Sequence, residues 1–134
     1  MAESMTPSNE TVRLKASDEK YSALFAASET PPAVRFVGTV STANSAIILN
    51  PFLDAVHDAV VCAGAKVVTV DFSQFEFCNS SGFKSFIYWI GLIQKLPAES
   101  RYRLHFLVAP GRRWQRTSLL VLTCFATDAV EIAA

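Results

Sequence analysis

Neither charge is in excess in this chain: twelve lysines and arginines stand against twelve aspartates and glutamates, for a formal net charge of zero. A protein that neutralises many nucleic-acid phosphates needs a strongly basic face, so no nucleic acid is expected as a partner. Cysteine is scarce as well. Cys62, Cys78 and Cys124 form no CxxC or Cys/His ligand pattern, and such an odd, scattered set beside apolar residues reads as buried thiols in a reducing compartment. No segment approaches the apolar run that a membrane span requires. The first ten residues, MAESMTPSNE, lack a basic-then-apolar signal architecture. A cytoplasmic location without membrane insertion is the expectation. Also missing are a phosphate-binding glycine loop, a metal-ligand constellation, paired carboxylates and a convincing Ser/His/Asp set. Asn79-Ser80-Ser81-Gly82 is not a GxSxG elbow. No enzymatic activity, cofactor or metal is expected.

What the chain has is apolar substance. Of its 134 residues 51% are hydrophobic, enough for one domain with a real core. Residues 1–10 are small, polar and acidic and read as a flexible tail, leaving 11–134 as a single domain. Strands are expected over Thr11–Ala16, Tyr21–Ala27 and Ala33–Val40, separated by Ser17-Asp18-Glu19-Lys20 and Pro31-Pro32. Asn50-Pro51 predicts a helix start, because Asn caps well and Pro fits the first helical position, and Gly64 predicts its end. His57 and Asp58, being adjacent, point apart on that helix and read as surface residues. Lys66–Phe72 is β-branched and nearly all apolar, as a strand buried on both faces would be, and a loop around Ser73-Gln74 should follow.

A long helix ending before Pro97, a strand around Tyr102–Val108, a helix from Pro110-Gly111 to about Phe125 and a last strand over Ala129–Ala133 complete the pattern. Strands alternating with helices predict an α/β fold with a mostly parallel or mixed sheet and covering helices. From Arg101 to Arg116 there are five arginines and no acid. This cluster reads first as a solvated basic face and second as an anion or partner site.

The informative stretch is Val67–Trp89, VVTVDFSQFEFCNSSGFKSFIYW. A buried strand ends at Asp71, a short loop crosses its end, and Asn79 caps a helix. Ser80 and Ser81 then fall in the first turn, near unsatisfied backbone N–H groups. A phosphate there would meet the positive end of the helix dipole, which favours anions by roughly 0.3–1 kcal/mol. It would also place up to two negative charges on a neutral surface, so a partner docked there would lose complementarity. On local chemistry alone a plain helix start is the commoner explanation of Asn-Ser-Ser-Gly.

The same stretch resembles the signature of STAS domains (sulfate transporter and anti-sigma factor antagonist). Val67–Asp71 matches the family's apolar strand ending in Asp, Phe75–Cys78 the apolar approach, and Asn79–Gly82 the Asp-Ser-Ser-Gly or Asp-Thr-Ala-Gly switch. Phe36-Val37-Gly38 resembles the earlier strand and glycine, and the order of elements matches from residue 33 onward. Asn79 stands where Asp is usual; Trp89 and Trp114-Gln115 resemble a branch of bacterial regulators with the Asn-Ser-Ser-Gly form. The resemblance implies a mixed central β-sheet with helices packed mainly on one face, and an anti-sigma factor antagonist-like signal-transduction protein. By position Ser80 would be the phosphorylated serine. The implied partners are a serine kinase or anti-sigma-like protein with the histidine-kinase-like ATPase fold and a PP2C-type phosphatase.

On Gly82–Leu96, Lys84, Ser85, Tyr88, Gly91 and Lys95 form a polar stripe, and Phe83, Phe86, Ile87, Ile90 and Ile93 a core stripe. Trp89, Leu92 and Leu96 widen the apolar sector. They read either as further core or as a docking or homodimer surface that starts at Ser80. Asn79, Ser81, Gly82, Lys84 and Trp89 thereby join Ser80 as candidate switch and partner-binding residues. The competing function is a constitutive STAS interaction subunit of a larger complex, without phosphorylation.

Overall fold

The computed structural model describes residues 13–133; the expected tail over 1–10 and the first two residues of the first expected strand lie outside them. The elements are β1 (Arg13–Ser17), β2 (Tyr21–Ala26), β3 (Ala33–Val40), α1 (Ala46–Ala63), β4 (Val67–Cys78), α2 (Ser80–Gln94), a 3₁₀ turn (Ala98–Ser100), β5 (Arg103–Leu107), α3 (Arg113–Phe125) and β6 (Val130–Ala133). The six strands form one sheet in sequence order. β1, β2 and β3 pair antiparallel, while β3, β4, β5 and β6 pair parallel. The fold is therefore α/β with a mixed sheet.

Each of the three parallel pairings is joined through one helix, and each step advances in the same direction across the sheet. Crossovers of this kind are nearly always right-handed, so three of them in one direction put all three helices on one face. Burial confirms it. Ala23, Phe25, Val34, Phe36, Val68, Val70, Phe72, Leu104 and Phe106 are buried, whereas Arg35, Val37 and Arg103 between them are exposed. The expectation that Lys66–Phe72 is buried on both faces is thus corrected: Val67, Thr69 and Asp71 are only half-buried, because no helix covers the second face. That face instead carries polar pairs: Arg35 forms ion pairs with Glu29 (3.0 Å) and Asp71 (3.5 Å), and His105 Nδ1 is within hydrogen-bond distance of Glu131 (2.8 Å).

The covered face meets Leu49, Phe52, Leu53, Val56 and Val60 of α1, Phe86, Trp89, Ile90 and Ile93 of α2, and Leu119 and Leu122 of α3. At its centre Phe36, Phe72, Phe75 and Phe86 pack with ring centroids 4.9 to 5.7 Å apart, mostly edge to face.

Three local expectations change. The helix expected with Asn50 as its cap starts five residues earlier, with Ser45 at the N-cap and Pro51 inside it. The proline ring removes one backbone bond near the helix start, while full burial of Leu49 holds the added turn against the core. This 18-residue helix is also long and apolar enough to cross a membrane by length and composition, at a mean hydropathy of 1.5, contrary to expectation. Its five inward residues pack on the sheet, as those of a core helix do. Of the cysteines, Cys62 and Cys124 are exposed rather than buried, and Cys78 is half-buried with its thiol pushed up to about 12 by desolvation.

The third change is β4, which runs for twelve residues through the expected loop at Ser73-Gln74. β5 lines it only over Val67–Asp71. Beyond that point the fully buried Gln115 side chain takes over: Nε2 donates to the carbonyls of Phe72 (2.9 Å) and Phe75 (2.7 Å), and Oε1 accepts from the Ala109 N–H (2.7 Å). Trp114 Nε1 donates to the Glu76 carbonyl at 2.9 Å and Arg112 Nη1 to that of Phe75 at 3.3 Å. Side chains at the start of α3 replace the missing strand edge.

His57 is half-buried, not a free surface residue. Trp89 Nε1 donates to the Tyr102 hydroxyl (2.9 Å), which lies 2.7 Å from His57 Nδ1. All three groups are satisfied when Tyr102 donates to Nδ1, which requires a neutral imidazole protonated on Nε2. Burial depresses the His57 pKa, opposed by the charges of Asp58 and Asp54.

Two predictions follow from these networks. Gln115→Ala should cost about 2–4 kcal/mol in urea unfolding, because it leaves the Phe72 carbonyl and the Ala109 N–H without their side-chain partner and the Phe75 carbonyl with Arg112 alone; a loss below about 0.5 kcal/mol would refute the bridging role. His57 binds fewer protons in the folded than in the unfolded chain near neutral pH, so its contribution is present above about 6.5 and falls as pH drops below that value. An NMR titration should place the His57 midpoint below 6.5, and a midpoint at or above it would contradict the assigned network.

Candidate functional site

Because β3, β4 and β5 run parallel, all three end at one edge of the sheet, and α1, α2 and α3 all begin there. None of these helices has an acidic residue in its first turn. Their positive dipole ends converge on this edge without a neutralising carboxylate in the turn itself.

Asn79 sits at the N-cap of α2 in extended conformation, as expected. Its Oδ1 accepts from the Gly82 N–H at 2.8 Å, and its Nδ2 donates to the Thr42 carbonyl at 3.1 Å. The Asn79 backbone N–H continues the β3 ladder by donating to Val40 (2.9 Å). Thr42 extends the network: its hydroxyl donates to Asp18 Oδ2 at 2.8 Å, and its carbonyl also accepts from Ser45 Oγ at 3.0 Å. Asp18 in turn accepts from the N–H groups of Lys20 (2.8 Å) and Tyr21 (3.2 Å). The Lys20 N–H is the main cause that holds its carboxyl below the usual range, opposed by desolvation and aided by the bonds from Thr42 and Tyr21. An aspartate at 79 could still accept from Gly82, but it could not donate to Thr42. The amide is what joins the start of α2 to the β1–β2 turn.

Gly82 is buried, and a Cβ there would lie 2.6 Å from Val40 Cγ1 and 2.8 Å from Cys78 Sγ. Only glycine lets α2 start this close to the strand ends. Gly38, the other glycine singled out in the sequence, has φ +95° and the Lys20 carbonyl 2.2 Å from where a Cβ would stand. It makes the close contact between β3 and the turn that carries Asp18.

Ser80 is the first residue of α2 and is exposed; Ser81 is half-buried, 3.3 Å from the Ser45 hydroxyl. With Ser45 donating to Thr42, Ser81 is left to donate to Ser45. The two neighbouring serines are thereby distinguished, one presented to solvent and one engaged inward. Lys84 and Tyr88 are exposed one and two turns after Ser80, on the same side of the helix.

Trp89 does not belong to this surface. It is fully buried and its indole is committed to Tyr102, so its assignment as a partner-binding residue is corrected. Ser85, placed in the polar stripe by spacing, is also buried, and its Oγ has no hydrogen-bond partner among the described residues. The broad apolar sector of α2 is core because neighbours cover it on two sides, the sheet below and α1 beside it, where Tyr88 reaches Asp54.

The arginine cluster is divided. Arg101 donates to the carbonyls of Leu96 (3.0 Å) and Gln94 (2.9 Å), closing the end of α2. Arg103 lies exposed on the uncovered face of the sheet. Arg112, Arg113 and Arg116 remain together at the start of α3, on the same edge as Ser80. Among the described residues no group of His, Cys, Asp and Glu side chains gathers as a metal site. Asp18, Thr42, Ser45 and Gln115 were not singled out for these roles by local pattern. Their bonding partners lie up to 43 residues away. No protein-family model matches the chain, and no curated protein matches it.

The two glycines of α2 provide a test of the close approach. Gly82→Ala should destabilise by about 1–3 kcal/mol through overpacking. Gly91→Ala, where a Cβ meets nothing within 4 Å, should stabilise by up to about 1 kcal/mol. Chemical denaturation of both variants decides it, and equal effects would contradict the packing described.

Proposed function

We propose that the protein is a STAS-type, anti-sigma factor antagonist-like regulator that works by partner switching, with Ser80 as the residue whose phosphorylation sets its state. The observation that carries the reading is the placement of Ser80. Its side chain is exposed at the first position of α2, on a backbone fixed by Asn79 and Gly82. It stands at an edge where three helix starts carry no first-turn acid. A phosphate at that position meets helix dipole and Lys84 one turn on, so the fold can accept it while the surface changes charge.

In this reading the unmodified edge binds a serine kinase or anti-sigma-like protein of the histidine-kinase-like ATPase superfamily, and the modified edge releases it. A PP2C-type phosphatase restores the first state. The switch surface comprises Asn79, Ser80, Ser81 and Lys84, without Trp89; Gly82 is buried and supports it from beneath by letting α2 start close to the strand ends. The protein acts in the cytoplasm and catalyses no reaction itself. Asn79 supports the switch as the group that fixes Ser80 in place, and its amide makes phosphotransfer depend on the kinase to position the hydroxyl.

The test incubates the purified chain with ATP and serine kinases encoded near its gene, with intact mass and peptide mapping as readout. One phosphate is expected, lost in Ser80→Ala and kept in Ser81→Ala. Ser80→Asp should weaken the complex with that kinase at least about tenfold. Phosphate only at another residue would overturn the assignment. Complexes that survive both Ser80→Ala and Ser80→Asp unchanged would favour the constitutive interaction subunit instead.

A further inference from the structure

Beside the edge that carries Ser80, the turn after β5 and the outer side of α3 enclose a cleft of about 460 Å³. Val108, Pro110 and Leu120 give it apolar walls, and Arg112, Arg113 and Arg116 are the charged residues that line it. Among the described residues no acidic side chain lines it, and none of the three arginines forms an ion pair. Arg113 and Arg116 are exposed and three positions apart on α3, so they share a face, and Leu120 follows one turn later on that face. Arg112 is half-buried and anchored through Nη1 to the Phe75 carbonyl. Three like charges gathered without a counter-charge repel one another, an arrangement that favours occupancy by an anion. α3 also begins without a side-chain cap, and of its first-turn N–H groups only that of Gln115 is taken, by the Arg112 carbonyl, which leaves those of Arg113 and Trp114 for an acceptor at this helix start.

We infer that this cleft is a binding site for a small phosphate ester with an apolar or aromatic body. The planar forks of arginine match phosphate oxygens in pairs, and a dianion balances two of the three charges. The volume suits a small organic molecule and exceeds what inorganic phosphate alone would fill. The apolar walls supply contact for a ring or chain attached to the phosphate. The site stands on its own residues and does not depend on the role of Ser80. Occupancy would nevertheless be felt there, since Arg112 and Trp114 hold the carbonyls of Phe75 and Glu76, just before the switch segment.

The experiment titrates the ¹⁵N-labelled full chain with phenyl phosphate, inorganic phosphate and phenol in separate arms, with calorimetry for affinity. Phenyl phosphate should shift the amides of residues 111–117 as a contiguous set and bind about tenfold tighter than inorganic phosphate. Its affinity should fall with added salt, and drop at least about tenfold in the double variant Arg113→Gln/Arg116→Gln. Both residues are exposed, so far-UV circular dichroism of the variant should match the parent. Absence of shifts at 111–117, unchanged affinity in the double variant, or phenol binding as tightly as phenyl phosphate would each overturn the proposal.

Discussion

Three hydrogen bonds at one buried amide complete the edge of β4 that β5 leaves uncovered, while β3 pairs with its other edge as far as Cys78, and together they place the edge that carries Ser80. β5 is five residues long and β4 twelve; without a substitute, the carbonyl of Phe72 would face the interior unpaired and that of Phe75 would keep Arg112 alone. Gln115 supplies that substitute, and its single accepting oxygen holds the Ala109 N–H in the same plane of contacts. The start of α3 is thus fastened to the end of β4. Since α2 begins two residues after β4 ends, the position of Ser80 inherits this attachment. An unpartnered buried donor or acceptor costs about 1–3 kcal/mol, which is why one side chain can govern so much geometry.

The opposite side of the edge is held by a second amide. Asn79 reaches forward to Gly82 and sideways to Thr42, and Thr42 passes the connection to Asp18 in the β1–β2 turn. The antiparallel part of the sheet and the parallel part are joined here by side chains as well as by the β3 ladder. The outcome is an exposed hydroxyl on a helix start whose backbone is held by hydrogen bonds on both sides.

Much of this architecture was legible in the chain. Alternation located β2 and β3 almost to the residue, and the monotonic order of strands and helices implied a mixed sheet. Gly64 marked the end of α1 and Asn79 the start of α2 because caps are chemically specific. What could not be read was whatever depends on distant partners. Ser73-Gln74 looks like a loop until β3 is seen to pair with it on one side and Gln115 to bond Phe72 and Phe75 on the other. Trp89 looks like surplus apolar surface until Tyr102 and His57 are placed around it. Pro51 looked like a first helical residue because proline is favoured there, yet burial of Leu49 outweighed the lost bond.

The two tryptophans have ended up in contrasting settings. Trp89 lies in the dry interior, hydrogen-bonded to Tyr102, whereas Trp114 is half-buried among Phe72, Phe75 and Phe77 at the end of β4. The chain therefore carries two intrinsic optical labels of different character. Emission from the first tracks the integrity of the whole core, and collisional quenching of the second follows events at the sheet edge, with no foreign dye attached.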